Sequence, residues 1–406
     1  MKINVFIISA LAAGMAISCC GPKELVVNTG DYTRTDTPVK VQIPKSCRDF
    51  ALTETTGGAS TATPSQVIKE DGVYWLYFNL DGVTPAGQER TFSLAKAKGE
   101  RDNMPMTAFD DGENVILESN SQPIMNYRYA VMPAPEGVPQ KFARGGFIHP
   151  AYTPSGFVYT NIQPRDHRHH YGIWNPWTRV EYDGKVYDLW NLGDSLGTVR
   201  PTNVDALYEG EVLAGFNASL DHVIFTPEGD KIIIKEQWRV KATKNGDGYL
   251  WDFDSYLEPC TDIPVTIKAY RYQGFSCRAT DVWTNQNSEM MSSEGLTRHD
   301  IDNTRGRWIY TNGSNGADGM AGFMFMSYPE NYDAPEPMRI WNELQNGGRG
   351  DVYVNFCPTK LKDWVLEPGN TYHLSYRVMA YDGVMDPENA ERLWTDFAYP
   401  PTVTIK

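Results

Sequence analysis

Short runs in which apolar residues recur at every second position dominate this chain. That period limits what it can fold into more than any other feature. Between Tyr372 and Val378, Tyr372, Leu374, Tyr376 and Val378 alternate with His373, Ser375 and Arg377. From Lys231 to Thr243, Ile232, Ile234, Trp238 and Val240 fall on one side, and Val73 to Phe78 is another β-like run. Neighbouring side chains of an extended backbone point to opposite faces, so this period predicts antiparallel strands with one buried face. Asp-Gly pairs at Asp71-Gly72, Asp81-Gly82, Asp183-Gly184 and Asp382-Gly383 fit hairpins or strand ends. One helix is expected near the end, with Asp386 as N-cap, Pro387 in first position and Glu388 through Phe397 as its body.

The fold class expected is therefore all-β. A small N-terminal β-sandwich is predicted over residues 31–120, with the polar stretch Glu113 to Gln122 as its boundary. A large antiparallel β-sandwich over 121–400 follows and carries the chemistry. Ahead of both, Lys2 gives a short positive segment and Val5 to Ile17 is apolar or small. That run is too short to span a membrane and suits a signal peptide over residues 1–18. Ala16-Ile17-Ser18-Cys19 resembles the lipobox of bacterial lipoproteins. The resemblance implies cleavage before Cys19, acylation of that cysteine and a tether over residues 19–30. Several acyl chains anchor stably where one is marginal. The expected location is exported, lipid-anchored to a bacterial membrane and facing the periplasm or cell surface.

Composition narrows the partners. The formal net charge is −14, which argues against a nucleic-acid partner because phosphate binding needs a basic face. Mean hydropathy is −0.46, and no later stretch is long and apolar enough for a spanning helix. The 11 Trp and 23 Tyr suit stacking on sugar faces and suit a large β core equally well. Cys47, Cys260, Cys277 and Cys357 match no zinc spacing, and unpaired buried thiols are the preferred reading.

The densest polar constellation is Arg165-Asp166-His167-Arg168-His169-His170-Tyr171-Gly172-Ile173-Trp174, which holds three of the seven histidines. On an extended backbone His167 and His169 point one way and His170 the other. Such imidazoles serve as a general base near neutral pH or as metal ligands. No cofactor is implied; a divalent metal, if bound, takes His167 and His169 first. Arg144 and His149 lie together in a second segment, and Arg298, His299 and Arg305 in a third. Arg and His recurring in three segments points to one shared cleft in which arginines hold a carboxylate or sulfate.

His149-Pro150, the run Asp166 to Trp174, and Trp190 resemble a bacterial family of unknown function commonly labelled "methane oxygenase PmoA-like". Pro329-Glu330-Asn331, Pro337, Arg339 and Trp341 are similar to that family's C-terminal signature. The resemblance covers roughly residues 120–395. Where the family usually has His-Pro-His-His-Arg-Gly, this chain has His167-Arg168-His169-His170-Tyr171-Gly172, so its Arg sits elsewhere. Methane oxidation is rejected, because such a subunit lies within the membrane and this body is polar. The resemblance implies the antiparallel supersandwich of galactose-mutarotase-like proteins and a setting of exported sugar degradation. That fold hosts several reactions and selects none.

Three functions remain. The leading one is elimination, by a lyase or dehydratase acting on uronic-acid-containing oligosaccharides. His169 and His170 are then base or acid, assisted by His149, Tyr171 and His299. Arg144, Arg168, Arg298 and Arg305 bind the acid, and Trp174 and Trp341 contact the sugar. The second is glycoside hydrolysis, which needs two carboxyls across the bond. The third is a non-catalytic glycan-binding lipoprotein. Oligomeric state is not legible.

Overall fold

The computed structural model describes residues 23–56, 58–97 and 104–406. The signal segment and Cys19 lie outside them. Strands make up 54% and helix 6%, which bears out the all-β reading. Two eight-stranded antiparallel sheets form the larger body. The first runs, in spatial order, Gly197–Tyr208, Leu213–Thr226, Gly229–Asn245, Gly248–Pro259, Tyr372–Asp382, Met320–Ser327, Trp308–Ser314 and Ser288–Ser292. The second runs Met338–Ile340, Tyr353–Phe356, Ser276–Arg278, Ile173–Trp174, Phe147–Ala151, Gln122–Arg128, Asn114–Ser119 and Met106–Asp110. One core fills the space between them. Tyr127 stacks on Phe216 at 4.7 Å and Phe275 on Tyr376 at 4.4 Å. Burying each such ring contributes roughly 1.5–3 kcal/mol.

The predicted alternation holds at Leu374, Tyr376 and Val378, all buried. It slips at Ile232, which is 40% exposed while Ile233 and Ile234 are both buried. A register shift opposite His222 and Val223 is the cause: one extra residue in a bulged strand turns every side chain beyond it to the other face. Asp71-Gly72 and Asp183-Gly184 do close hairpins, with positive φ at both residues. Asp81-Gly82 instead interrupts the strand Val73–Thr84, beside a register shift between Thr35 and Thr37.

A smaller sandwich packs a five-stranded sheet on the three strands Arg34–Ile43, Val73–Thr84 and Ser65–Glu70. Lys23–Asn28 sits inside the five-stranded sheet, between Glu89–Lys96 and the final strand Thr402–Ile405. Residues expected to end a tether are thus a paired strand, because Leu25 and Val27 are fully buried. The expected boundary Glu113 to Gln122 is also replaced. It is a hairpin of the second large sheet, with Val115 and Leu117 buried under its polar face. The predicted helix forms as Pro387–Ala398, and Asp386 accepts from the Asn389 amide at 2.9 Å. Its buried Asp396 pairs with Arg34 at 2.8 Å and accepts from Thr37, tying the helix to the small sandwich. Cys47, Cys260, Cys277 and Cys357 are unpaired. Among the described residues no helix is long and apolar enough to cross a membrane.

One buried acid makes stability depend on pH. Glu336 is fully buried and meets only the neutral donors Ser327, Asn331 and Tyr376. Burial pushes its carboxyl up to about 7. A raised carboxyl favours the fold below its unfolded value and loses that advantage as pH rises through the folded one. Between about pH 4.5 and 7 the wild type should therefore lose on the order of 3 kcal/mol relative to Glu336→Gln. Urea melts of both proteins across that window check this.

Candidate active site

The outer face of the second large sheet carries the site. Along its strands Ile148, Ile173, Cys277, Ile340 and Val354 turn into the core. Their neighbours Phe147, Trp174, Arg278, Arg339, Trp341 and Tyr353 therefore turn outward, by the same period-2 rule. Phe147, Tyr171, Trp174, Trp190, Leu192, Trp341 and Tyr353 pack there into a second apolar cluster. The histidine-rich segment lies over this floor.

That segment is a coil of tight turns, not an extended strand. The His167 amide donates to Pro164 O, His170 to His167 O, and Gln163 to His170 O. The histidines therefore do not alternate as extended backbone would require. His167 stacks on His170 at 4.7 Å, while His169 stands edge-on to both. Gly172 closes the segment at φ +55°, where an added Cβ would overlap the Ile148 carbonyl oxygen. Gly172→Ala should cost about 1–3 kcal/mol, read as a lowered denaturant midpoint.

The cleft above the floor holds about 220 Å³ and is lined by His167, His169, His170, Arg271, Tyr272, Arg339, Trp341, Gln345 and Tyr353. His167 Nδ1 lies 2.8 Å from Asp166, which also pairs with Arg278 at 2.9 Å. Burial opposes ionisation of Asp166, but the His167 hydrogen bond and the Arg278 charge outweigh it and hold the carboxyl below its usual range. Arg278 is 1% exposed, pairs with buried Asp351 at 2.7 Å, and lies 4.7 Å over the Trp341 ring. Asp351 in turn binds Asn346 and Arg349, fixing the turn that presents Gln345. Burial, then the neighbouring His167 and Arg144 charges, pushes His169 down to about 3, and burial pushes His170 well down too. Both rings are neutral at physiological pH. Tyr272 donates to Asn191 at 3.0 Å, and burial raises its hydroxyl to about 12, so it keeps its proton. Arg271 is exposed, rests 5.3 Å from the Tyr272 ring centroid, and forms no ion pair among the described residues.

The structure brings together fewer of the expected residues than one shared cleft required. His169, His170 and Trp341 line the cleft, and so does His167, expected as a metal ligand or a general base. Trp174 is fully buried beneath them. The Tyr171 hydroxyl is occupied, donating to Phe142 O and accepting from Gln163. Arg168 donates to Gln163 O and braces the loop. His149 binds the Thr160 hydroxyl at 2.8 Å outside the cleft lining, and burial lowers it to about 4. Arg298 is spent on Ser288 and the carbonyls of Gly350 and Asp351. His299 is exposed beside Glu343. Arg305 clasps Asp333 and Pro335. Arg144 lines a separate groove. Each displaced arginine has found carbonyl or carboxylate partners nearby, though Arg144 has only one, a long contact from Nε to the Gly145 carbonyl at 3.4 Å. Among the described residues no three His, Cys, Asp or Glu are arranged to hold a metal ion. Sequence reasoning assigned no role to Asp166, Arg271, Tyr272, Arg278, Gln345 or Tyr353. Arg278 and Tyr353 sit in strands of three and four residues, too short for alternation to be read, and Asp166, Arg271, Tyr272 and Gln345 lie outside any strand.

A family model described as "Family of unknown function (DUF6807)" matches residues 114–395. No curated protein matches the chain. Among solved structures it is similar to a protein in glycosyl hydrolase family 38 from Enterococcus faecalis, at 10% identity and TM-score 0.51, over 95% of this chain and 47% of that one. It is also similar to an α-mannosidase from Enterococcus faecalis, at 9% identity and TM-score 0.45, over 95% of this chain and 46% of that one. A polysaccharide lyase follows at 12% identity and TM-score 0.30, over 70% of this chain and 34% of that one. The first likeness shows a shared fold, and the chain spans just under half of that protein's length.

Proposed function

We propose that this chain, which belongs to the DUF6807 family of unknown function, is a carbohydrate-active enzyme that cleaves uronic-acid-containing oligosaccharides by β-elimination. The observation that carries this reading is one cleft holding a carboxylate-bound histidine, two guanidinium groups and an indole. Elimination beside a carboxylate needs a base, a cation on the acid and a proton for the leaving oxygen. The base assigned here is His167, not His169 or His170. Asp166 holds its Nδ1–H, which fixes the tautomer and leaves Nε2 to take a proton. His169 and His170, held neutral by burial, are too weakly basic for that task.

His167 Nε2 takes the proton from the carbon beside the carboxylate. The electron pair forms a carbon–carbon double bond as the neighbouring C–O bond breaks. Tyr272, still protonated, supplies a proton to the leaving oxygen. Arg271 holds the substrate carboxylate, beside Arg339, whose guanidinium is already paired with Asp302, and Trp341 stacks on the sugar ring. Asp166 acts through His167 and is a positioning residue.

Arg271→Gln should raise KM for a uronate oligosaccharide about tenfold and change kcat little, since one exposed charge contact contributes about 1.4 kcal/mol to binding. Initial rates over a range of substrate concentrations check the split. Hydrolysis by paired carboxyls is disfavoured, because no Asp or Glu lines the cleft and Asp166 is engaged with His167 and Arg278. The proposed setting is an exported lipoprotein tethered through Cys19. Growth with a clickable fatty acid should label the wild type, and Cys19→Ser should abolish the label.

A further inference from the structure

A buried cation without acceptors is costly, and folded chains rarely keep one unless something else completes it. Arg144 is 2% exposed. Of its N–H groups only Nε finds an acceptor, the carbonyl of the adjoining Gly145 at 3.4 Å. Nη1 is shut off from solvent with no partner. The guanidinium otherwise rests on the Tyr171 ring, 5.6 Å from its centroid. Arg144 lines a groove of about 370 Å³ with Lys141, Arg200 and the hydroxyl residues Ser195 and Thr198, and no Asp or Glu is in that lining. Lys141 at the rim donates to the Gly193 carbonyl. Arg200 pairs with Asp230, which is not part of the groove.

We propose that this groove is an oxyanion subsite, distinct from the histidine cleft, that takes the carboxylate or sulfate group of an acidic sugar. The unmet N–H groups of Arg144 match the two oxygens of such a group, and the rim cations add to its attraction. Leu192 lines the groove, and Leu192 and Tyr171 belong to the aromatic cluster that floors the cleft. That the anion belongs to a glycan rests on the proposed function; the oxyanion site itself does not.

The test is calorimetric titration of the intact protein with sodium sulfate, sodium glucuronate and glucose at constant ionic strength. Sulfate or glucuronate should bind saturably, identifying the group the groove takes, while glucose should give no heat. Lys141→Gln with Arg200→Gln should weaken that binding at least fivefold. Arg144→Gln, where it folds, should abolish it. Arg271→Gln, in the cleft, should leave sulfate binding at the groove unchanged, while it weakens any glucuronate held in the cleft. Absence of saturable anion binding overturns the proposal. So does binding indifferent to the groove variants, or sulfate binding removed by Arg271→Gln, which would place the anion in the cleft. Loss of elimination activity with anion binding retained would count against the proposed reaction alone.

Discussion

If the proposed elimination is right, replacing His167 with alanine should lower kcat on uronate oligosaccharides by about 10²–10⁴-fold, the range a positioned general base contributes. KM should move little, because the proposed carboxylate contact to Arg271 is untouched. The fold survives, since His167 is only part-buried and its ring rests against Trp341 and His170 without supporting the core. Asp166→Asn keeps the shape of the dyad but removes the carboxylate that orients the imidazole. Its loss should be smaller than that of His167→Ala and should appear in kcat, with a displaced acidic limb in the pH profile. A merely structural Asp166 would lower stability and leave that profile alone. His169→Ala tests the alternative assignment: a loss as large as that of His167→Ala would move the base to His169.

Arg278→Met should unfold more easily by about 3 kcal/mol. Removing one partner of a buried pair leaves the other charge uncompensated. The carboxylate left behind is Asp351, itself 1% exposed. The cost is held to about that figure because Asn346 and Arg349 still bind Asp351. Asp351→Asn in the same protein should recover part of the loss, since the two positions share one network and their effects do not add. Denaturant midpoints of the two single variants and the double variant measure the coupling. Arg278 also underlies Trp341 and Asp166, so activity should fall further than stability alone explains.

The all-β class and the terminal helix were legible because each rests on local chemistry. Tyr372 to Val378 shows its two faces directly, and Asp386-Pro387 announces a helix start. Arg278, Tyr353 and Arg339 were not legible. They become neighbours only when three short strands, separated by some tens of residues, are laid side by side in one sheet. Ile232 was misplaced because a bulge leaves no mark on the period until the partner strand is known. Arg298 and Arg305 were misassigned for a different reason. An arginine in sequence announces a charge, but only the fold reveals whether nearby carbonyls and carboxylates have already claimed it. Arg144 is claimed only at Nε, by the Gly145 carbonyl, and keeps Nη1 unmet.

The central claim is that the cleft breaks a C–O bond by elimination with His167 as base. Incubating the protein with defined uronate oligosaccharides in heavy-oxygen water, followed by mass spectrometry and ultraviolet absorbance, tests it directly. Elimination predicts products free of heavy oxygen, a rising enoate absorbance, and loss of both products and absorbance in His167→Ala. Heavy oxygen incorporated at the cleaved bond without an enoate, or turnover undiminished in His167→Ala, would contradict it.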